Sequence, residues 1–477
     1  MGEFAAHLHA PVARGHAPAG AATGAAGGAA CGDLVRVSVA VAGDRVADAG
    51  FDAAGCGAAL AAGSAAVALV RGRPLLAALR VGPDEISGEL GGLSAGKRHA
   101  AELAADALHR ALGAATRAGA SLGEAPDRVL VAMSGGVDSA VAALLEARGG
   151  SEVVAVTLEL WADPANDGER SCCSAQAVRG ARALAHGMDI PHVTLDLREE
   201  FRAGVVQPFL DDHAAGLTPN PCVRCNGHVR LDAMLALADR LGARAGLATG
   251  HYARVRDGLL RTAADPAKDQ SYMLAATAPA TLGRLRFPLG ELTKPEVRAL
   301  AAEAGLPVAS KADSQDLCFL AGTDRASFLA RHGGLRGRPG EVVDREGRVL
   351  GRHRGHHHYT VGQRRGLGVA ATEPLYVLAT DAASNRVTVG PRADLLDSRV
   401  VVCAATLHRD GAVVDSVKLR YRSRPLPTRV AGAPGAGEHG RLELELAEPV
   451  EGAAPGQTAC LMAGDAIVGH ATIAAGS

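Results

Sequence analysis

The hydrophobic and polar positions change texture along the chain. After an Ala/Gly-rich start to about residue 30 that holds little to build a core, Leu34 to Val41 alternates apolar and polar residues like a half-buried strand, and Ala100 to Leu112 repeats its apolar residues at helical spacing. This predicts a small α+β unit. Ser121 to Asp127, with Gly123 and Pro126, reads as a linker, and Val129 to Met133 as a buried strand. Beyond it, strand-like runs (Val153 to Leu160, His192 to Leu197, Gly246 to Thr249) alternate with helical stretches (Val137 to Ala147, Ala175 to His186, Leu231 to Leu241). That alternation predicts a doubly wound α/β domain, a parallel sheet covered on both faces. Past about Ala330, short strands such as Pro374 to Ala379, Arg386 to Gly390, Arg441 to Glu448 and Ala466 to Ile473 lie between Gly, Asp and Pro turns and predict two small β-barrel modules. The expected division is residues 1–120, 121–330, 331–398 and 399–477.

Composition narrows the class. The 477 residues are 48% hydrophobic and 21% charged, which suits several packed cores and argues against global disorder. The net charge of −1 hides a crowd of arginines (Arg331, Arg336, Arg338, Arg345, Arg348, Arg352, Arg354, Arg364, Arg365), so any affinity for nucleic acid is regional. No apolar run reaches the roughly 18 to 20 residues that span a bilayer, and the first residues do not read as a secretory leader, so a cytoplasmic location is expected with no membrane partner. The nine cysteines are grouped as Cys172-Cys173 and Cys222-x-x-Cys225 rather than spread as in a secreted disulfide framework. That grouping points to redox, sulfur or metal chemistry.

Met133-Ser134-Gly135-Gly136-Val137-Asp138-Ser139 follows a strand and opens a helix, where backbone N–H groups can approach an anion at the positive helix end. The Gly-Lys-Ser/Thr ending of a Walker loop is missing, which disfavours ordinary kinase chemistry. The motif resembles the pyrophosphate loop of ATP pyrophosphatases, which cleave ATP to AMP and pyrophosphate. Thr218-Pro219-Asn220-Pro221-Cys222-Val223-Arg224-Cys225 sets two thiols three residues apart after a Pro-containing turn, and a third lies in Ser314-Gln315-Asp316-Leu317-Cys318-Phe319. Cys403 and Cys460, among apolar strand residues, read as packed thiols.

With Ala248-Thr249-Gly250-His251-Tyr252-Ala253-Arg254, Lys268-Asp269-Gln270-Ser271-Tyr272 and Tyr359-Thr360-Val361-Gly362-Gln363-Arg364-Arg365-Gly366, these segments resemble the tRNA 2-thiouridylase family (MnmA/TrmU) from about Arg128 to the C-terminus. The resemblance implies that a tRNA uridine is adenylated at O2, that a persulfide on Cys318 attacks C2, and that Cys225 resolves the intermediate by a disulfide with Cys318. It further implies that Ala132, Met133, Ser134, Gly135, Gly136, Val137, Asp138, Ser139, Leu158 and Gly250 contact ATP, with Mg²⁺ on its phosphates. Asn220, Pro221 and Cys222 would lie against the target base, and His251, Lys268, Asp269, Gln270, Arg420, Tyr421 and Gln457 would touch tRNA. The substrates implied are the tRNAs for Lys, Glu and Gln. Cys222 stands where many relatives carry Asp, so Cys222, Cys225 and Cys318 could instead hold a 4Fe-4S cluster whose open iron takes sulfide. Cys172 and Cys173 either relay sulfur or pack.

Cys31-Gly32-Asp33, Gly55-Cys56-Gly57 and Lys97-Arg98-His99 resemble the iron-sulfur scaffold family (IscU/NifU) over roughly residues 5–115. Cys31, Asp33, Cys56 and His99 match its ligand positions, which implies zinc, iron or a nascent cluster, while Ala100 replaces that family's third cysteine. A cysteine desulfurase or sulfur-relay protein is the implied partner, and fusion would raise the donor's effective concentration. His356, His357 and His358, read as strand residues on alternate faces, are not expected to ligate a metal. A chain that is wholly an iron-sulfur carrier with an ATP-sensing domain, or one that thiolates a small molecule, are the competing readings.

Overall fold

The computed structural model describes residues 2–28, 32–163, 174–312 and 317–475. Cys31, Cys172, Cys173 and the Ser314-Gln315-Asp316 part of the third cysteine segment lie outside the described residues. The first unit is an antiparallel sheet of β1 (Ala22–Gly27), β2 (Leu34–Ala42) and β3 (Arg45–Ala54), covered by the helices Gly57–Val70 and Arg98–Gly119. Alternation in β2 turns Val35, Val37 and Val39 inward, as its pattern predicts. The Ala/Gly-rich start is more ordered than its composition suggests. It supplies the helix Glu3–His9 and the edge strand β1, whose small side chains let the backbone lie close to helix Arg98–Gly119, with Arg110 Nη1 donating to Ala25 O at 2.8 Å.

That helix runs well beyond the predicted Leu112. Gly113 lies inside it, where the helix crosses the edge of the next sheet. A Cβ at Gly113 would meet Thr194 O at 1.8 Å, so no other residue permits the approach. The second sheet is parallel, in the order β10-β7-β4-β5-β6, where β4 is Arg128–Ala132, β5 Glu152–Glu159, β6 His192–Asp196, β7 Leu247–Thr249 and β10 Leu285–Arg286. The hairpin β8 (Arg254–Arg256) and β9 (Leu259–Arg261) leaves this region to pair with the C-terminal sheet. Strand order reverses between β4 and β7, which opens a crevice at the strands' C-terminal ends.

Helix Arg98–Gly119 binds the two units together. Asp106 accepts from Arg179 Nε at 2.5 Å and Arg182 Nη2 at 2.6 Å, both on helix Ala175–Gly187. His109, His186 and His192 pack with tilted rings around the same seam, with His109 and His186 bonding through Nε2 to Val81 O and Leu79 O. One hydrophobic core continues across both units from Val35 through Leu195 to Phe328.

A small sheet of β11 (Gly340–Val343), β12 (Val349–His353), β13 (Tyr376–Asp381) and β14 (Arg386–Gly390) follows in the order β12-β11-β14-β13. Then β15 (Leu396–Leu407), β16 (Ser416–Lys418), β17 (Leu426–Val430), β18 (Gly437–Glu451), β19 (Thr458–Ala463) and β20 (Ala466–Ile473) form a closed barrel, because β15 pairs with both β18 and β20. His356 to His358 form a single 3₁₀ turn rather than a strand, since His356 bonds to Asn385 Oδ1 and to Ala214 O. Among the described residues no helix is long and apolar enough to cross a membrane.

Candidate active site

A cavity of about 740 Å³ opens at the crevice where strand order reverses. Its floor is the turn from Ala132 to Ser139, held between β4 and helix Val137–Arg148. Ser139 Oγ ties the turn by donating to Gly136 O at 3.1 Å and accepting from Ser134 N at 3.1 Å. Gly250, after β7, presses on it so closely that a Cβ would meet Ser139 N at 2.8 Å. Leu158 lines the wall. The turn is thus clamped open for a ligand that its backbone N–H groups can hold.

The paired cysteines enter the cavity from a different segment. Asn220 starts the helix Pro221–Cys225 by accepting from Cys222 N at 3.2 Å and Val223 N at 3.4 Å, which places Cys222 and Cys225 on the cavity wall. Cys225 is buried, and Cys222 and Cys318 are half-buried. Cys318 is anchored by its neighbour Phe319, whose ring packs 5.2 Å from Phe209 and 5.1 Å from Phe328. Two thiols from one turn and a third from a distant segment therefore share one chamber with the phosphate-type turn.

His251, Lys268, Gln270 and Tyr421 line the same cavity, with Pro221. Thr249 Oγ1 bonds to His251 Nδ1 at 2.9 Å, and desolvation, aided by Arg230, pushes the His251 imidazole down to about 3. Asn220, Asp269, Arg420 and Gln457 lie outside the lining and join parts of the chain. Asp269 pairs with Lys418 Nζ at 3.0 Å and accepts from Ala263 N and Ser271 N, Arg420 Nη2 donates to Gly452 O, and Gln457 Nε2 donates to Thr218 O at 2.6 Å. These bonds seat the barrel on the cysteine turn.

Two lysines from distant segments reach the turn. Lys311 lines the cavity and donates to Gly135 O at 2.9 Å. Lys294 meets both oxygens of Asp138 at 2.7 and 2.8 Å. Neither was singled out from sequence, because the pairing arises only when strand order brings segments over 150 residues apart together. Arg230 and Arg422 are further lining cations that sequence reasoning passed over.

In the first unit, ligand atoms of Asp33, Cys56 and His99 lie within 4.8 Å of one another, the only such set among the described residues. Cys56 N donates to Asp33 Oδ1 at 2.7 Å, and this bond foremost holds the carboxyl below its usual range. His99 Nδ1 bonds to Gly96 O at 3.1 Å, so its Nε2 lone pair faces Asp33 Oδ2 at 3.3 Å. Cys56 Sγ reaches the same Asp33 Oδ2 at 3.2 Å, so the three ligand atoms converge on one point. An O, N and S donor set of this kind fits zinc or iron. Ala100, in the position of the missing cysteine, is fully buried in the core.

Comparison with known proteins matches four successive stretches of the chain. Residues 3–118 match the NifU-like N terminal domain, 127–322 the tRNA methyl transferase HUP domain, 326–391 the tRNA methyl transferase PRC-barrel domain and 397–473 the aminomethyltransferase beta-barrel domain. The bifunctional protein NifU/MnmA of Rubrobacter xylanophilus is 46% identical over 98% of this chain and 97% of its own length. The tRNA-specific 2-thiouridylases MnmA of Xanthobacter autotrophicus and Geobacter metallireducens are 48% and 42% identical, each over 72% of this chain and over 90% and 96% of their own lengths.

Proposed function

The chain belongs to the tRNA-specific 2-thiouridylase family, joined to a NifU-like domain, and we propose that it replaces the 2-oxygen of a tRNA uridine by sulfur at the expense of ATP. The observation that carries the reading is the single cavity holding the Ser134–Ser139 turn together with Cys222, Cys225 and Cys318. ATP lies on that turn with Lys311 beside its phosphates, and Mg²⁺, when bound, shields their charge. Uridine O2 attacks the α-phosphorus and pyrophosphate leaves. The outer sulfur of a Cys318 persulfide then attacks C2, and AMP departs carrying the former O2. The Cys225 thiolate attacks Cys318 Sγ, forming a Cys225–Cys318 disulfide and leaving the sulfur on C2 as 2-thiouridine. A thiol reductant resets the pair.

The third thiol in the chamber, Cys222, supports a second reading, in which Cys222, Cys225 and Cys318 hold a 4Fe-4S cluster that supplies bound sulfide. The tRNAs for Lys, Glu and Gln are the proposed substrates, in the cytoplasm. The Asp33, Cys56 and His99 site, with Cys31, is proposed to hold zinc or iron and to receive sulfur through a cysteine desulfurase. The test is 2-thiouridine formation, read by mass spectrometry with anaerobically purified protein, unmodified tRNA, ATP, Mg²⁺ and either sulfide or desulfurase with cysteine. No product from wild type in either reaction would sink the thiolation reading. Activity retained in Cys222→Ser selects the persulfide route, and joint loss of iron and product selects the cluster.

A further inference from the structure

An aspartate inside an anion-binding turn is an electrostatic contradiction. Asp138 sits in the first turn of helix Val137–Arg148 and lines the cavity, where its charge would repel a triphosphate. Its carboxylate is matched from behind. Lys294 Nζ reaches Oδ1 at 2.7 Å and Oδ2 at 2.8 Å, and the Tyr252 hydroxyl donates to Oδ1 at 2.9 Å. Lys294 does not line the cavity, and its side chain is only 9% exposed. Its backbone is fixed as well. Lys294 N donates to Asp265 Oδ2 at 3.1 Å, and Thr293 and Glu296 cap the helix that Lys294 opens.

We propose that Lys294 is a positioning residue of the ATP site, which cancels the charge of Asp138 toward the incoming triphosphate and locks the carboxylate in one orientation. It acts through Asp138 and touches no substrate. With that charge cancelled, the helix end and Lys311 set the sign of the field over the turn. The inference rests on the reading that ATP is cleaved in this cavity, and it explains how a loop with an acidic residue and no Walker lysine binds a polyphosphate.

The test measures equilibrium binding of α,β-methylene-ATP to the full chain in EDTA by calorimetry, for wild type, Lys294→Met, Asp138→Asn and the double variant, with pyrophosphate release on added tRNA, ATP and Mg²⁺ as a separate readout. An uncompensated carboxylate about 5 Å from phosphate charge should raise Kd by about ten- to a hundredfold in Lys294→Met. The double variant, with both charges removed, should bind about tenfold tighter than Lys294→Met, while pyrophosphate release stays below wild type because the oriented Asp138 carboxylate is gone. Lys294→Gln, which keeps a donor without the charge, carries the same expectation should Lys294→Met fail to fold. Wild-type affinity in the lysine variants, or a double variant as weak as Lys294→Met, would overturn the proposal, the latter being what a merely structural lysine gives. If wild type binds no nucleotide, the adenylation reading falls and this inference with it.

Discussion

Asp106→Ala tests whether the scaffold-like unit is a structural part of the catalytic one. The Asp106 side chain is 7% exposed and that of Arg182 is 4% exposed, so their 2.6 Å contact is shielded from solvent and salt. Arg179, at 42% exposure, is screened and adds little. Removing the aspartate leaves the Arg182 guanidinium buried without its carboxylate, a change that costs about 3–5 kcal/mol. If the shared core unfolds as a cooperative unit of about 150–250 residues, each kcal/mol lowers Tm by about 2–4 °C, and the first transition should fall by about 6–20 °C. Thermal unfolding by circular dichroism reads the shift, and limited trypsin digestion reads cleavage near residues 121–127. Asp106→Leu with Arg182→Met should recover most of the loss, because an apolar pair of similar size needs no compensating charge. A Tm within about 2 °C of wild type in Asp106→Ala, with unchanged proteolysis, would refute the claim that this buried pair holds the units together.

Gly250→Ala forces a Cβ to within 2.8 Å of Ser139 N and 2.9 Å of the Asp138 carbonyl carbon. Overpacking of about 1–3 kcal/mol should displace the turn and raise the ATP Kd by about five- to a hundredfold with little loss of helix content, and unchanged affinity would show that the turn yields freely. The imidazoles of His213 and His251 are pushed by burial down to about 3, and those of His109 and His192 well below 6.5. Unfolding therefore takes up protons, so their contribution is full above about pH 6.5 and is lost as the pH falls toward the folded values. The slope approaches about 5 kcal/mol per pH unit if all four titrate in the unfolded chain, and a urea midpoint that stays flat from pH 7 to 5 would contradict it. Burial pushes the Cys460 thiol up to about 12. Iodoacetamide at pH 8 should label the exposed Cys56 in native protein and reach Cys460 only after denaturation, and equal labelling rates by peptide mass mapping would overturn this assignment.

What could be read from sequence was whatever is local. Ser134 to Ser139 and Asn220 to Cys225 carry their chemistry in contiguous segments, and the alternation in β2 already marks its buried face. The chamber that unites them was not local. Lys294 announces only a helix start, through Thr293 and Glu296, and its role toward Asp138 follows from the packing of its helix on Val137–Arg148. Asp269, which the resemblance sets against tRNA, pairs with Lys418 of β16, a partner the strand order of the barrel supplies. Gly113 carries no such signal in sequence, yet it is the one residue that fits against Thr194 O. The three adjacent histidines form a turn because Gly355 takes a φ of +146° and Asn385 receives His356, neither visible in a count of imidazoles.

The seam between the units changes what fusion means here. A flexible tether would act through effective concentration, set by linker length and reach. The segment from Ser121 to Asp127 is not such a tether. Ser121 N donates to Gly43 O, Leu122 N to Arg240 O and Ala125 N to Gly242 O, while Arg244 N returns a bond to Ala125 O. Together with Arg80 and Asp189, Arg110 and Glu159, and Arg117 and Glu200, these contacts fix the scaffold-like unit in place. The Asp33, Cys56 and His99 cluster is therefore held in one orientation relative to the parallel-sheet unit rather than sampling a volume. The chain from His192 to the turn is equally direct, since His192 bonds to Thr157 Oγ1 at 2.8 Å, Thr157 donates to Met133 O at 2.7 Å, and His192 N reaches Leu79 O at 3.1 Å. A displacement of the scaffold-like unit at Leu79 is thus two side-chain hydrogen bonds from the floor of the ATP site.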